Sequence, residues 1–107
     1  MTARIILSAP STAKRGEIIT INALIAHAME SGFRHTTTGV PIPRDIITQL
    51  VATYNGAEIF RAEFFPAVAA NPFISFDTIA TESGVIAFQW AGDNGFSATK
   101  QVKITVT

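Results

Sequence analysis

Asn55-Gly56 sits between two runs rich in β-branched and aromatic residues, Ile46 to Tyr54 and Ala57 to Phe64. Asn-Gly readily takes the left-handed backbone of a tight hairpin turn, so this dipeptide constrains the fold more than any other feature. It sets two strands antiparallel and asks each for a matching apolar face. On the first arm that face reads Ile46, Leu50, Ala52 and Tyr54. On the second it reads Phe60, Ala62 and Phe64, with Arg61 and Glu63 opposite. A two-residue turn at Asn55-Gly56 would set Leu50 across from Arg61 and mix the faces. A three-residue loop over Asn55 to Ala57 sets Ala52 across from Phe60 and Leu50 across from Ala62. The three-residue loop, with Gly56 at positive φ, is therefore expected.

The rest of the chain carries the same period of two. Arg4 to Ser8 is a short β-branched run bounded by Pro10 and Lys14-Arg15-Gly16, and reads as an edge strand. Glu17 to His27 places Ile19, Ile21, Ala23 and Ile25 on one face, with Ile18 and Leu24 on the other. That predicts either cover on both faces or a bulge. Phe73 to Ala80 alternates Ile74, Phe76, Thr78 and Ala80 against Ser75, Asp77 and Ile79. Val85 to Ala91 turns Ile86, Phe88 and Trp90 to one side. Gly92-Asp-Asn-Gly95 is a turn, and Ser97 to Val106 points Val102, Ile104 and Val106 inward. About seven short strands and no helix describe an all-β, two-sheet antiparallel sandwich of immunoglobulin or fibronectin type III character, one domain over residues 1–107. Trp90, Phe88, Phe76, Phe60 and Tyr54 are the expected central cluster.

Composition narrows what such a sandwich does. Hydrophobic residues make up 48% and charged residues 15%, apolar enough that part of the surface is expected to bury itself on a partner. Eight basic and eight acidic side chains cancel, so the field that draws nucleic acid is missing. There is no cysteine, which removes thiol nucleophiles, thiolate metal sites and disulfides from these 107 residues. No segment reaches the roughly 18 apolar residues of a membrane span. The run Ile5-Ile6-Leu7 is too short for a signal-peptide core, so no export signal is read here.

One stretch breaks the alternation. His27 to Asp45 is interrupted by Gly32, Gly39, Pro41 and Pro43 and contains both histidines. Long connections in small domains are commonly functional, so this one is read as a recognition loop. Its prolines hold it extended and lower the cost of ordering it on a partner. Arg34 and Arg44 suit two-point contact with carboxylates, and Met29, Phe33 and Ile42 offer apolar area. These five form the expected partner-binding set. The other reading is that the prolines only guide the chain between sheets and Phe33 plugs the end of the sandwich.

Chemistry is not expected. His27 and His35, with Met29 or Glu30 as a third ligand, match no metal-ligand spacing, and no metal or cofactor is assigned. Ser31, His35 and Asp45 can be written as a triad, but no nucleophile elbow or oxyanion turn accompanies them. Glu58 and Glu63 differ in parity and are expected on opposite faces, unsuited to a shared acid–base task.

Seven segments in order carry a resemblance. They are Thr12-Ala-Lys-Arg-Gly-Glu17, Leu24-Ile-Ala-His-Ala-Met-Glu-Ser-Gly-Phe-Arg34, Pro41-Ile-Pro-Arg44, Thr53-Tyr-Asn-Gly56, Phe60-Arg-Ala62, Ala70-Asn-Pro72 and Ala80-Thr-Glu-Ser-Gly84. The set resembles the SoxZ family of the thiosulfate-oxidising Sox system over nearly the whole chain. One departure is Ala28, where the family commonly has proline after the histidine. The resemblance implies a non-catalytic subunit. It would pair with a SoxY-like subunit whose C-terminal cysteine carries the sulfur, and would dock transiently to other Sox enzymes. It also implies a periplasmic location, reached by export together with that partner. The alternative is a free-standing immunoglobulin-like binding or adhesion module.

Overall fold

A computed structural model describes residues 4–107. Its strands are β1 (Ile5–Ser8), β2 (Thr12–Ala13), β3 (Ile18–Ile25), β4 (Ile47–Tyr54), β5 (Ala57–Glu63), β6 (Phe73–Ile79), β7 (Gly84–Gly92) and β8 (Ser97–Val106). They form two sheets, β1-β3-β6 and β2-β8-β7-β4-β5. Apart from a short 3-10 turn over Asp93–Gly95, no helix occurs among the described residues. This is the expected sandwich, with one strand more than the alternation predicts. The extra strand is β2, which pairs parallel with β8 through Thr12↔Thr105 and Ala13↔Val106. Two residues are too short to show a period. Pro10 lies where the chain leaves the β1 sheet and crosses to the other, a position suited to a residue that cannot donate to either ladder.

The β4–β5 hairpin corrects the expected loop. Tyr54 lies opposite Ala57 and Thr53 opposite Glu58, so the turn has only two residues, Asn55 at φ 50 and Gly56 at φ 85. Both central residues at positive φ give the turn whose twist matches the flanking strands. The register further along is nonetheless the expected one, Ala52↔Phe60 and Leu50↔Ala62. A bulge between Ala52 and Thr53 on the β4 side, with Ile59 as the extra residue of β5, restores the faces. The bulge also overturns the separation of Glu58 from Glu63. Both lie opposite outward residues, Thr53 and Gln49, with Arg61 between them forking onto Glu58 at 2.7 and 3.1 Å.

β3 has no bulge. Ile19, Ile21, Ala23 and Ile25 are buried, whereas Ile18 is 68% exposed, so its outer face is not covered at that end. The buried side chains form one cluster. Half-buried Phe60 and Phe76 pack against it: Phe60 stacks on Phe76 at 4.4 Å, Phe76 meets the buried Phe88 at 6.1 Å, and Phe88 meets Trp90 at 5.9 Å. These rings bridge the sheets, since Phe76 belongs to one and the other three to the second. Tyr54 is buried too. Its hydroxyl donates to the Glu82 carbonyl and accepts from the Thr81 and Glu82 N–H groups, so the polar tip is satisfied. Lys100 has the inward parity of Phe88 but escapes at the side of the sandwich, where its Nζ donates to the Ile5 carbonyl at 3.0 Å.

Candidate functional site

The stretch between β3 and β4 is a narrow arm with a ladder of its own. At its base Glu30 and Asp45 exchange backbone hydrogen bonds, both 2.8 Å. Further out the Ile42 N–H donates to the Arg34 carbonyl at 2.9 Å, and His35 bridges to Pro41. At the tip Gly39 N–H donates to the Thr36 carbonyl at 2.9 Å and Thr36 N–H to the Val40 carbonyl at 2.8 Å. At about 3.3 Å per residue, ten-residue β8 spans roughly 33 Å, and the seven steps from Glu30 to Thr37 roughly 23 Å. Together they approach the molecule's 60 Å long axis, as an arm continuing the strand direction would give.

Two ion pairs stiffen the arm. Arg34 forks onto Glu30, with Nε at 2.9 and 3.2 Å from the two carboxylate oxygens and Nη2 closing the second point. Arg44 forks onto Asp93 across 49 residues of sequence, with bonds of 2.9 and 2.8 Å. Asp93 also accepts from the Ile46 N–H at 3.1 Å, so the turn after β7 holds the point where the arm returns to the sheet. In each pair the carboxylate is shielded and the guanidinium faces out. The Arg34 fork holds the Glu30 carboxyl below its ordinary value. The Arg44 fork, reinforced by the Ile46 N–H, does the same for Asp93. The arginines are raised in turn by the same contacts.

The five residues expected to bind a partner therefore have different situations. Phe33 is 78% exposed on the arm and does not plug the sandwich end. Ile42 is half-buried within the arm's ladder. Arg34 and Arg44 are not free forks, because each already holds a carboxylate of this chain. Met29 is corrected outright as a surface residue: it is 6% exposed, packs in the core, and its Sδ accepts from the Ile47 N–H at 3.3 Å. It turns inward because its backbone is left-handed, φ 52. The Met29 N–H is satisfied there by His27 Nδ1 at 2.9 Å. Val40, 57% exposed near the tip, was not in the expected set, although an apolar residue between Gly39 and Pro41 was a readable sign of it. Asp93 also lies outside the expected set, since the sequence shows it only as part of the Gly92-Asp-Asn-Gly95 turn.

The triad written from the sequence does not assemble. Among the described residues no hydrogen bond links Ser31, His35 and Asp45, and Ser31 Oγ instead accepts from the Phe33 N–H at 3.2 Å. His27 is engaged locally, its ring edge-on to Phe96 at 4.9 Å. No group of three or more His, Asp or Glu side chains placed to hold a metal is found among the described residues. No helix among them is long and apolar enough to cross a membrane.

The model of the family described as "Sulphur oxidation protein SoxZ" matches residues 7–103. The chain belongs to the SoxZ family. The match extends from β1 into β8 and includes the whole arm. No curated protein matches. Among solved structures, the chain is similar in fold to the sulfur carrier protein SoxY from Chlorobium limicola f thiosulfatophilum. That likeness has a TM-score of 0.67 and 11% identity, over 96% of this chain and 78% of that one. It is also similar to the superoxide reductase (neelaredoxin) E23A from Ignicoccus hospitalis, at TM-score 0.74 and 18% identity over 99% and 80%. A putative superoxide reductase from Thermotoga maritima gives 0.66 and 20% over 96% and 85%. At these identities the likenesses show the fold alone. SoxZ membership gives the chain a role in sulfur oxidation by the Sox system.

Proposed function

We propose that this chain is the non-catalytic half of a sulfur-carrier heterodimer. It pairs with a SoxY-like subunit whose C-terminal cysteine carries the covalent sulfur intermediates of thiosulfate oxidation, and it helps dock that carrier to the Sox enzymes. One observation carries the reading: a SoxZ-family chain matched over residues 7–103 has no cysteine among its 107 residues. Sulfur bound through a thiolate needs a thiol, and these residues offer none. The pair works in the periplasm, and the partner supplies the export signal. The residues act as one domain.

The arm is the docking element in this proposal. Its ladder and ion pairs order it in advance, which lowers the entropy lost on binding. Phe33 supplies an exposed aromatic anchor, and Val40 and Ile42 continue the apolar strip. Arg34 and Arg44 hold the arm's shape, and each guanidinium keeps donors beyond its two-point fork for a carboxylate of the partner enzyme.

Co-expression with a cysteine-tailed SoxY-like chain tests the pairing. A stable heterodimer is expected, with labelled thiosulfate adduct on the partner's cysteine alone. If this chain elutes by itself, the free-standing binding module is the better reading. An adduct or turnover on the purified single chain would overturn the carrier-subunit assignment. For the arm, Phe33→Ala with Val40→Ala should weaken docking of the heterodimer to a Sox enzyme by about tenfold or more, the range for losing a central apolar anchor. The unfolding midpoint should hold. Unchanged docking would remove the arm from the interface.

A further inference from the structure

The four sheet edges are not equally protected. β1 is four residues long, and Lys100 caps its Ile5 carbonyl. β2 has two residues. β5 is kinked by its bulge and carries Glu58, Arg61 and Glu63 on its outward face. These are the usual means by which an edge avoids pairing with another chain. β6 has only one of them, a single outward charge at Asp77, which already accepts from the Thr20 hydroxyl at 2.7 Å. It runs seven residues, Phe-Ile-Ser-Phe-Asp-Thr-Ile, with an unbroken register against β3 and no proline, lysine or bulge. Among the described residues it pairs with β3 alone.

The direction of its free groups follows from its ends. Ala80 N–H donates to the Glu17 carbonyl and the Ala80 carbonyl accepts from Gly16, so Ala80 faces the β3 side. The Pro72 carbonyl, which accepts from Ile25, faces the same side. Backbone direction alternates along a strand, so Phe73, Ser75, Asp77 and Ile79 turn both N–H and C=O to the open edge. The sequence of β6 is also self-complementary about Phe76. Laid antiparallel on a copy of itself, it sets Phe73 against Ile79, Ile74 against Thr78, and Ser75 against Asp77. Apolar meets apolar on the outer face, where Phe73 and Ile79 are both more than half exposed, and a hydroxyl meets a carboxylate. In that register the four outward residues of each copy face four outward residues of the other, so every free N–H finds a free C=O.

We propose that β6 is a self-pairing edge, and that its occupant is β6 of a second copy of this chain related by a two-fold axis through Phe76. The pairing joins two three-stranded sheets into one of six strands. It does not depend on the carrier-subunit reading above.

Sedimentation velocity on the isolated full chain, from micromolar to millimolar, should show a monomer–dimer equilibrium. Phe73→Lys with Ile79→Lys, both at exposed positions, should raise the dimer dissociation constant about tenfold or more, as lysines do on natural edges, without moving the unfolding midpoint. The chain lacks cysteine, so register can be tested directly. Under mild oxidation a Ser75→Cys chain mixed with an Asp77→Cys chain should cross-link. Ser75→Cys alone should not, because its two copies then sit diagonally, beyond disulfide reach. A monomer at all concentrations would overturn the proposal, as would a dimer indifferent to the lysines or the opposite cross-linking pattern. If the lysine variant instead loses only the SoxY-like partner, the edge serves the heterodimer and the self-pairing reading is overturned.

Discussion

Gly32→Ala tests whether the arm is an independently stable part of the molecule. Gly32 sits at φ 87, and a Cβ built there would meet the Arg44 Cβ at 3.0 Å. An L-residue in the left-handed region costs about 1–2 kcal/mol. The contact adds a small displacement of Arg44, which itself anchors the arm to Asp93. A penalty of that size raises the population of the opened arm by a factor of about 5–30. Amide exchange measures it site by site. The Glu30 and Asp45 amides at the base and the Ile42 amide further out should exchange faster by that factor. The Leu50 and Phe88 amides lie in ladders that do not include the arm and should keep their protection. Arm amides with unchanged exchange would refute the strain argument. An equal fall in protection throughout would show that arm and sandwich unfold together.

Acid should loosen the same arm. Glu30 and Asp93 have carboxyl pKa values depressed in the folded state. Their contribution is therefore complete above the ordinary carboxylate range and lost as pH falls through the depressed values, below about pH 4. Amide shifts of residues 30–45 followed by NMR should move in that window, and a response centred elsewhere would refute the role of the two carboxylates. Trp90→Ala should cost about 3–5 kcal/mol in a denaturant titration, because the ring is fully buried against Phe88. Deleting Ile59 should be tolerated at about 1–2 kcal/mol, the value of its partial burial. The ladder on either side of the bulge becomes continuous without moving any other residue between faces. A deletion that abolishes folding would show that the bulge is not where the extra residue resides.

Alternation made the sandwich legible in the sequence. The expected inward residues of β3, β4 and β7 are all buried, because a strand's period of two does not depend on what lies around it, although Ile47 is buried out of parity where the β4–β7 register shifts between Ile47 and Gln49. Where legibility failed, a single residue or a distant contact was decisive. The β4–β5 faces had to be reconciled by one inserted residue, and nothing local distinguishes a longer turn from a bulge two positions on. That residue also reverses the parity of Glu58 relative to Glu63. Met29 is buried through a left-handed backbone that no pattern announces. The carboxylate that occupies Arg44 comes from a turn read as a turn and nothing else. The arm was recognised as exceptional from its lack of period, but its internal ladder and ion pairs were not visible.

The crossing at Pro10 has a mechanical consequence. Just past it, β2 runs parallel to β8 and is tied there by bonds from Thr105 N–H to Ser11, from Thr107 N–H to Ala13, and from Arg15 N–H to Thr107. Tension between Ser11 and Thr107 loads this short parallel patch sideways, so its bonds must yield together before β2 leaves β8. A clasp of a few residues therefore resists tension on these two strands as one unit rather than bond by bond.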